Sequence, residues 1–325
     1  TSSGTYIYMA IRRGGMQTPT VASSVFAATD MSSSTLANTG FAVDMSIDSS
    51  RSSTSDNFLN DRLRGSGVYM STNNRTAEAT GGTRHFDSNQ GVIYTSAFTG
   101  INWAWKRARG YFDMVTWNVD GTGDQTINHN LGVSPEMIWS KNRDDGGSGS
   151  GDWWIGHTGL TGWDGDNEND RHALKFTNAA SAQQGYHRDF TSTSIRLLGN
   201  AVGGYSTSHT GIAYLFATVA GVSKVGSYTG NGNATGPTVD CGFTNGTKWV
   251  LLKRTSGLQN WYVYDTARGL TSGDDKELEL NSNSSERTGQ VLNSTTSGFQ
   301  LATSSSFANE NGSTFIFYAI ANDPS

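Results

Sequence analysis

The side chains of this 325-residue chain whose types and spacing suit chemistry fall into three sets. In the first, Trp163-Asp164-Gly165-Asp166-Asn167-Glu168-Asn169-Asp170, carboxylates recur at alternate positions: Asp164, Asp166, Glu168 and Asp170. Such a loop can surround a hard cation with oxygens, and calcium is the ion expected. It is not an EF-hand, because the sixth position lacks Gly and the twelfth, Lys175, is not Glu; a solvated surface loop is the favoured reading and calcium binding the alternative. The second set suits sugar. Trp163 and Tyr186 in loop-like stretches offer flat apolar faces to a pyranose ring, with Asp164, Asn167 and Arg188 nearby to bond its hydroxyls.

The third set is Asp61-x-x-Arg64-Gly65, matched by Asp265-x-x-Arg268-Gly269. In each, Asp and Arg are expected to pair across a turn that the glycine completes. The corresponding middle stretch, Trp154 to Leu160, has lost both charges, so the pattern reads as structural rather than as a site needed in every copy.

Other chemistry has weak support. The six histidines include no two at a spacing that would place them on one metal, and His157 beside Trp153 and Trp154 is expected to bond backbone at a strand end. No Gly-x-Ser-x-Gly elbow is present. A glycosidase needs two carboxylates about 5 to 10 Å apart, which the sequence neither supplies nor excludes. The expectation is a protein that is not an enzyme. The single thiol, Cys241, has no internal disulfide partner and sits in an alternating stretch, as a buried small residue would. A net charge of −5 without a basic block argues against nucleic acid or an anionic membrane surface as partner. No run of 18 apolar residues is present to insert in a membrane.

Helical periodicity is almost absent. Tyr6 to Ile11, Tyr111 to Trp117, Met137 to Trp139, Ile212 to Phe216, Trp249 to Leu252, Trp261 to Tyr264 and Phe315 to Tyr318 are β-branched or aromatic and bounded by turn residues. With 40 Gly and only 4 Pro, reversals are expected at pairs such as Asn231-Gly232, Asn245-Gly246 and Asn311-Gly312. Ile11, Trp105, Phe216 and Ile320 end similar aromatic strands at domain-sized intervals. The fold expected is all-β, as tandem antiparallel β-sandwich repeats. Residues 1–13 read as the closing strand of a truncated upstream repeat, followed by repeats at 14–108, 109–220 and 221–325. Each repeat should fold independently and include a Gly-Phe strand (Gly40-Phe41, Gly132-Val133, Gly242-Phe243), its strands alternating so that one face is buried and the other wet.

Gly110-Tyr111-Phe112-Asp113-Met114-Val115-Thr116-Trp117, the stretch His129 to Lys141, Ala213-Tyr214-Leu215-Phe216-Ala217, Gly226 to Gly232 and Trp261 to Arg268 carry a resemblance that spans nearly the whole chain. The chain resembles the repetitive C-terminal region of virion structural proteins, of the tail-fibre or appendage kind, from tailed phages of aquatic bacteria. The ending Tyr318 to Ser325 is similar to that family's natural C-terminus. The resemblance implies jelly-roll sandwiches of the concanavalin-like and laminin G group, placed on the virion surface, with a structural or receptor-binding role. The expected partners are a bacterial surface glycan or other virion proteins, and the expected assembly is a homotrimer. A polysaccharide depolymerase and a capsid fibre or decoration protein without a receptor are the alternatives.

Overall fold

The computed structural model describes residues 15–52, 54–119, 123–145, 151–163, 172–176, 183–184, 187–198, 209–270 and 275–323. It is all-β, 49% strand and 4% helix. The aromatic and β-branched runs expected to be extended fall on the strands Phe112–Asn118, Met137–Asn142, Thr210–Phe216, Thr247–Arg254, Tyr262–Asp265 and Thr314–Ala321. The run Tyr6 to Ile11, and with it the truncated repeat at 1–13, lies outside the described residues. Gly232, Gly246 and Gly312 take φ of 70°, 83° and 74°, the left-handed conformation that makes glycine the fitting partner of Asn in those turns.

Three antiparallel sheets of six strands share one order over five of their strands. In the first, Phe26–Asn38 pairs with Gly91–Trp105, followed by Met45–Ser49, Phe58–Asp61 and Tyr69–Ser71, while the sixth strand, Arg84–His85, pairs off this path with Gly91–Trp105. In the second, the order is Phe112–Asn118, Thr210–Phe216, Met137–Asn142, Trp153–His157, His172–Lys175 and Gln183–Gln184. In the third it is Ser223–Thr229, Thr314–Ala321, Thr247–Arg254, Tyr262–Asp265, Asp275–Glu279 and Arg287–Gly289. Among the described residues, every pair of strands joins members of one of these three segments. The registers correspond too: Trp105 lies between Phe26 and Met45, Phe216 between Phe112 and Met137, and Ile320 between Ser223 and Trp249. In the second and third segments a three-stranded sheet, His187–Arg188/Ser194–Leu197/Gln125–Asn128 or Thr238–Asp240/Gly298–Leu301/Leu292–Thr295, accompanies the larger one. The first segment instead has strands of 13 and 15 residues whose pairing shifts between Met31 and Leu36, bulges of the kind that bend a strand.

The expected alternation of a buried and a wet face does not describe these sheets. All residues of Met137–Asn142 and Trp153–His157 are buried. Met137 and Trp139 enter a core shared by all three segments, while Ile138 enters a separate core with Ile127, Ile195 and Leu197 of the small sheet. On Thr210–Phe216, Tyr214 and Phe216 face the shared core while Ala213 and Leu215 face the outer one. Both faces of the larger sheet are covered, so its central strands read as continuous apolar runs. The three segments therefore share one core. Trp249 of the third packs on Phe26 and Trp105 of the first, with ring centroids 5.8 and 5.5 Å away, and Phe216 of the second lies 5.1 Å from Tyr318 of the third. The Gly-Phe strand is also corrected: Gly40, Gly132 and Gly242 sit at φ of 77°, 80° and 70°, which makes each a left-handed turn and not extended chain.

A core common to three segments should melt as one. Calorimetry is expected to give a single transition with equal calorimetric and van't Hoff enthalpies. Trp249→Ala, which deletes a fully buried indole, should lower the whole transition by about 3–5 kcal/mol rather than split off one segment.

Candidate functional site

The polar side chains concentrate at the seams where the three sheets meet. At the seam of the first and second segments, Asp61 ends its strand and its Oδ1 accepts from the Arg64 backbone N–H at 2.8 Å. Arg64 Nε donates to Asp61 Oδ2 at 2.5 Å, and Gly65 at φ 97° turns the chain away. The same carboxylate accepts from the Tyr214 hydroxyl of the second segment at 2.6 Å. Arg64 reaches Glu78 at 3.4 Å, and Glu78 receives a two-pronged bond from Arg143 of the second segment at 2.8 and 2.9 Å. The Glu78 N–H also donates to the Arg143 carbonyl at 2.7 Å.

The seam of the third and first segments repeats this. Asp265 accepts from Arg268 N and Nε at 3.0 and 2.7 Å, with Gly269 at φ 105°, and its Oδ2 accepts from Trp103 Nε1 of the first segment at 2.8 Å. Arg268 reaches Glu286 at 3.4 Å, Glu286 is held by Arg51 Nε and Nη2 at 2.9 Å each, and the Glu286 N–H donates to the Arg51 carbonyl. Arg64 and Arg268 are fully buried along their side chains. The facing carboxylates raise the affinity of the Arg64 guanidinium for its proton against the opposing pull of burial.

The pairing of Asp with Arg within each turn was readable from sequence, but its reach was not. Arg51 and Arg143 stand two residues beyond Ser49 and Lys141, which share a register, so extending the repeat past the strand end would have found them.

At the seam of the second and third segments His157 takes the Asp place. Its Nδ1 accepts from the Gly159 N–H at 2.8 Å, which makes Nε2 the protonated nitrogen, and Nε2 donates to the Phe317 carbonyl at 3.1 Å. The strand-end, backbone-bonded role expected for His157 is what is found. Burial lowers its pKa to about 4. His187, bonded to the Ser140 hydroxyl at 2.7 Å, is lowered by burial to about 3.

Position 49 of the first segment corresponds to two buried lysines. Lys141 donates from Nζ to the carbonyls of Arg75 and Gly151, and burial lowers its pKa to about 8. Lys253 Nζ is buried without a hydrogen-bond partner among the described residues, and burial, helped by Arg254, lowers it to about 7. Cys241 is buried and free; burial pushes its thiol up to about 12, far from a reactive thiolate.

Of the residues expected to bind sugar, Trp163 and Arg188 are described. Trp163 stacks on Phe190 with centroids 4.1 Å apart and planes 2° apart, and it packs against the outer core of the second segment. Arg188, two residues before Phe190, bonds Asp124 at 2.8 Å, and Arg196 joins the same carboxylate at 3.0 Å. The structure thus brings Trp163 and the Arg188 strand together through Phe190. Asp164, Asn167 and Tyr186, and the whole expected calcium set Asp164, Asp166, Glu168 and Asp170, lie outside the described residues. Among the described residues no group of three or more His, Cys, Asp or Glu is placed to hold a metal.

A family model described as a domain of unknown function (DUF7483) matches residues 20–324, and the chain belongs to that family. No curated protein and no solved structure matches it.

Asp265→Ala strands the Arg268 guanidinium and the Trp103 N–H in the interior, and urea titration should show a loss of about 3–5 kcal/mol. Arg196→Ala, at an exposed pair, should cost under about 1 kcal/mol. His157 and His187 bind protons more weakly folded than unfolded, so stability is complete above the unfolded pKa of 6.5 and declines as pH falls towards 4 and 3. Urea titrations at pH 7 and 5 should differ by roughly 2 kcal/mol for each of these histidines, and His157→Gln should remove its share.

Proposed function

We propose that this member of the DUF7483 family is a structural protein of a phage particle, carried on a tail fibre or similar appendage and exposed on the virion surface, where it holds a bacterial surface glycan. In this reading its three segments are related β-sandwich repeats, of jelly-roll and concanavalin-like type, and the chain acts in a homotrimer. The resemblance at Gly110 to Trp117 and His129 to Lys141 supports the virion placement.

The observation that carries the reading is the use made of the charged side chains. Asp61, Arg64, Glu78 and Arg143 at one seam, with their counterparts Asp265, Arg268, Glu286 and Arg51 at the other, lock sheets to one another. Such a frame suits a part that must stay rigid outside a cell. Its surface carries shallow polar hollows, among them one of about 420 Å³ lined by Arg109, His129, Asn130, Ser192 and Thr193. A hollow of this kind binds a sugar weakly, and repetition on a fixed frame multiplies the effect by about 10²–10⁴.

The test is retention on immobilised capsular polysaccharide from candidate aquatic hosts. The expected result is retention of the chain, stronger for the trimer than for separated chains, with no release of reducing ends. Release of reducing ends would make it a depolymerase; co-purification with capsids and indifference to cells would make it a decoration protein.

A further inference from the structure

The two seams built from charges leave a question at the third. Four positions carry each ladder: Asp61 or Asp265, Arg64 or Arg268, Glu78 or Glu286, and Arg143 or Arg51. At the seam of the second and third segments, the three positions that fall within the described residues have all changed. His157 replaces the aspartate, and Leu160, three residues on, replaces the arginine of the turn. Thr255 replaces the arginine of the neighbouring segment, since it lies two residues beyond Lys253 as Arg143 does beyond Lys141, and its N–H bonds the Thr314 carbonyl as the Arg143 N–H bonds that of Thr210. The glutamate comes seven residues after the last residue of its strand, Glu78 after Ser71 and Glu286 after Glu279; the count after Lys175 reaches Ala182, which is outside the described residues.

The volume released by these exchanges is open. A cavity of about 270 Å³ lies at this seam, lined by Leu160, Thr161, His172, Thr255, Ser256 and Thr314 beside Gly159. Where the other seams hold two guanidiniums and two carboxylates, this one presents hydroxyls, an imidazole and an apolar floor. Leu160 in its lining is buried, and Leu258, 78% exposed, stands two residues from Ser256. Arg254, next to the lining residue Thr255, is occupied by Glu310 and by the Ser256 hydroxyl.

We propose that this cavity is a ligand site for a small neutral polyhydroxy compound, a single sugar ring of a glycan. A charged ligand would meet no opposite charge in the described lining, whereas a sugar offers C–H surface to leucine and hydroxyls to Thr, Ser and His. The volume falls below the ~300–1,000 Å³ of sites for larger molecules, which suits one ring. The assignment rests on the glycan-binding reading above and gives it a place.

Saturation-transfer NMR on the full chain with free glucose, galactose, mannose and N-acetylglucosamine tests it. At least one sugar should give saturable transfer. Thr255→Arg restores the side chain that fills the equivalent space at the other seams, and should weaken that binding by roughly tenfold or more while the thermal transition is kept. Should Thr255→Arg fold poorly, Thr161→Arg at the exposed rim should have the same effect. Unchanged sugar binding in a folded variant overturns the site, and if retention on capsular polysaccharide persists there, the glycan reading itself survives. Absence of transfer from all four sugars overturns the site whatever the polysaccharide result, and absence of retention for the unaltered chain overturns the wider reading.

Discussion

Each of the larger sheets carries apolar side chains on both faces, and that is the constraint to which the molecule answers. One face can be covered locally, by a three-stranded sheet in the second and third segments or by the bulged long strands of the first. The other can be covered only by the remaining sheets, so the segments associate around Phe26, Trp105, Phe216, Trp249 and Tyr318. Association buries strand ends and the backbone groups there, and these need partners in a place water does not reach. The seams supply them in a cyclic pattern. Trp153 Nε1 of the second segment donates to the Ser71 carbonyl of the first, Trp261 Nε1 of the third to Lys175 of the second, and Asn57 Nδ2 of the first to Glu279 of the third. The positions correspond, each lying four residues before Asp61, His157 or Asp265.

That pattern accounts for what could be read from sequence. A strand's existence is local, so the aromatic runs and the Asn-Gly turns were legible, as was the shared register of Trp105, Phe216 and Ile320. The Asp-Arg turn was legible because its partners are three residues apart. Which face of a strand is covered depends on segments about a hundred residues distant, and the continuous burial of Met137–Asn142 could not be separated from alternation by inspecting its own residues. For the same reason the sequence around Asp61 points to Arg64 but not to Tyr214, and the glycine before Phe41 reads as part of a strand where its positive φ makes a turn. The stacking of Trp163 on Phe190 was hidden by the 27 positions that separate them.

Equivalence among the segments is broken most strongly in the second. Its turn keeps the geometry while exchanging an ion pair for an imidazole held between two backbone groups. The buried lysine of the third segment is likewise less well served than that of the second, whose ammonium meets two carbonyls. Three sheets of like strand order with unequal seams have a built-in distinction between surfaces that only hold and a surface released from holding.

The chain also closes on itself. Both oxygens of Asp323 accept from backbone N–H groups near the start of the described chain, Ala22 and Ser23, each at 2.7 Å. Tension applied at residues 22 and 323 would load this clamp before the adjoining strands Phe26–Asn38 and Thr314–Ala321.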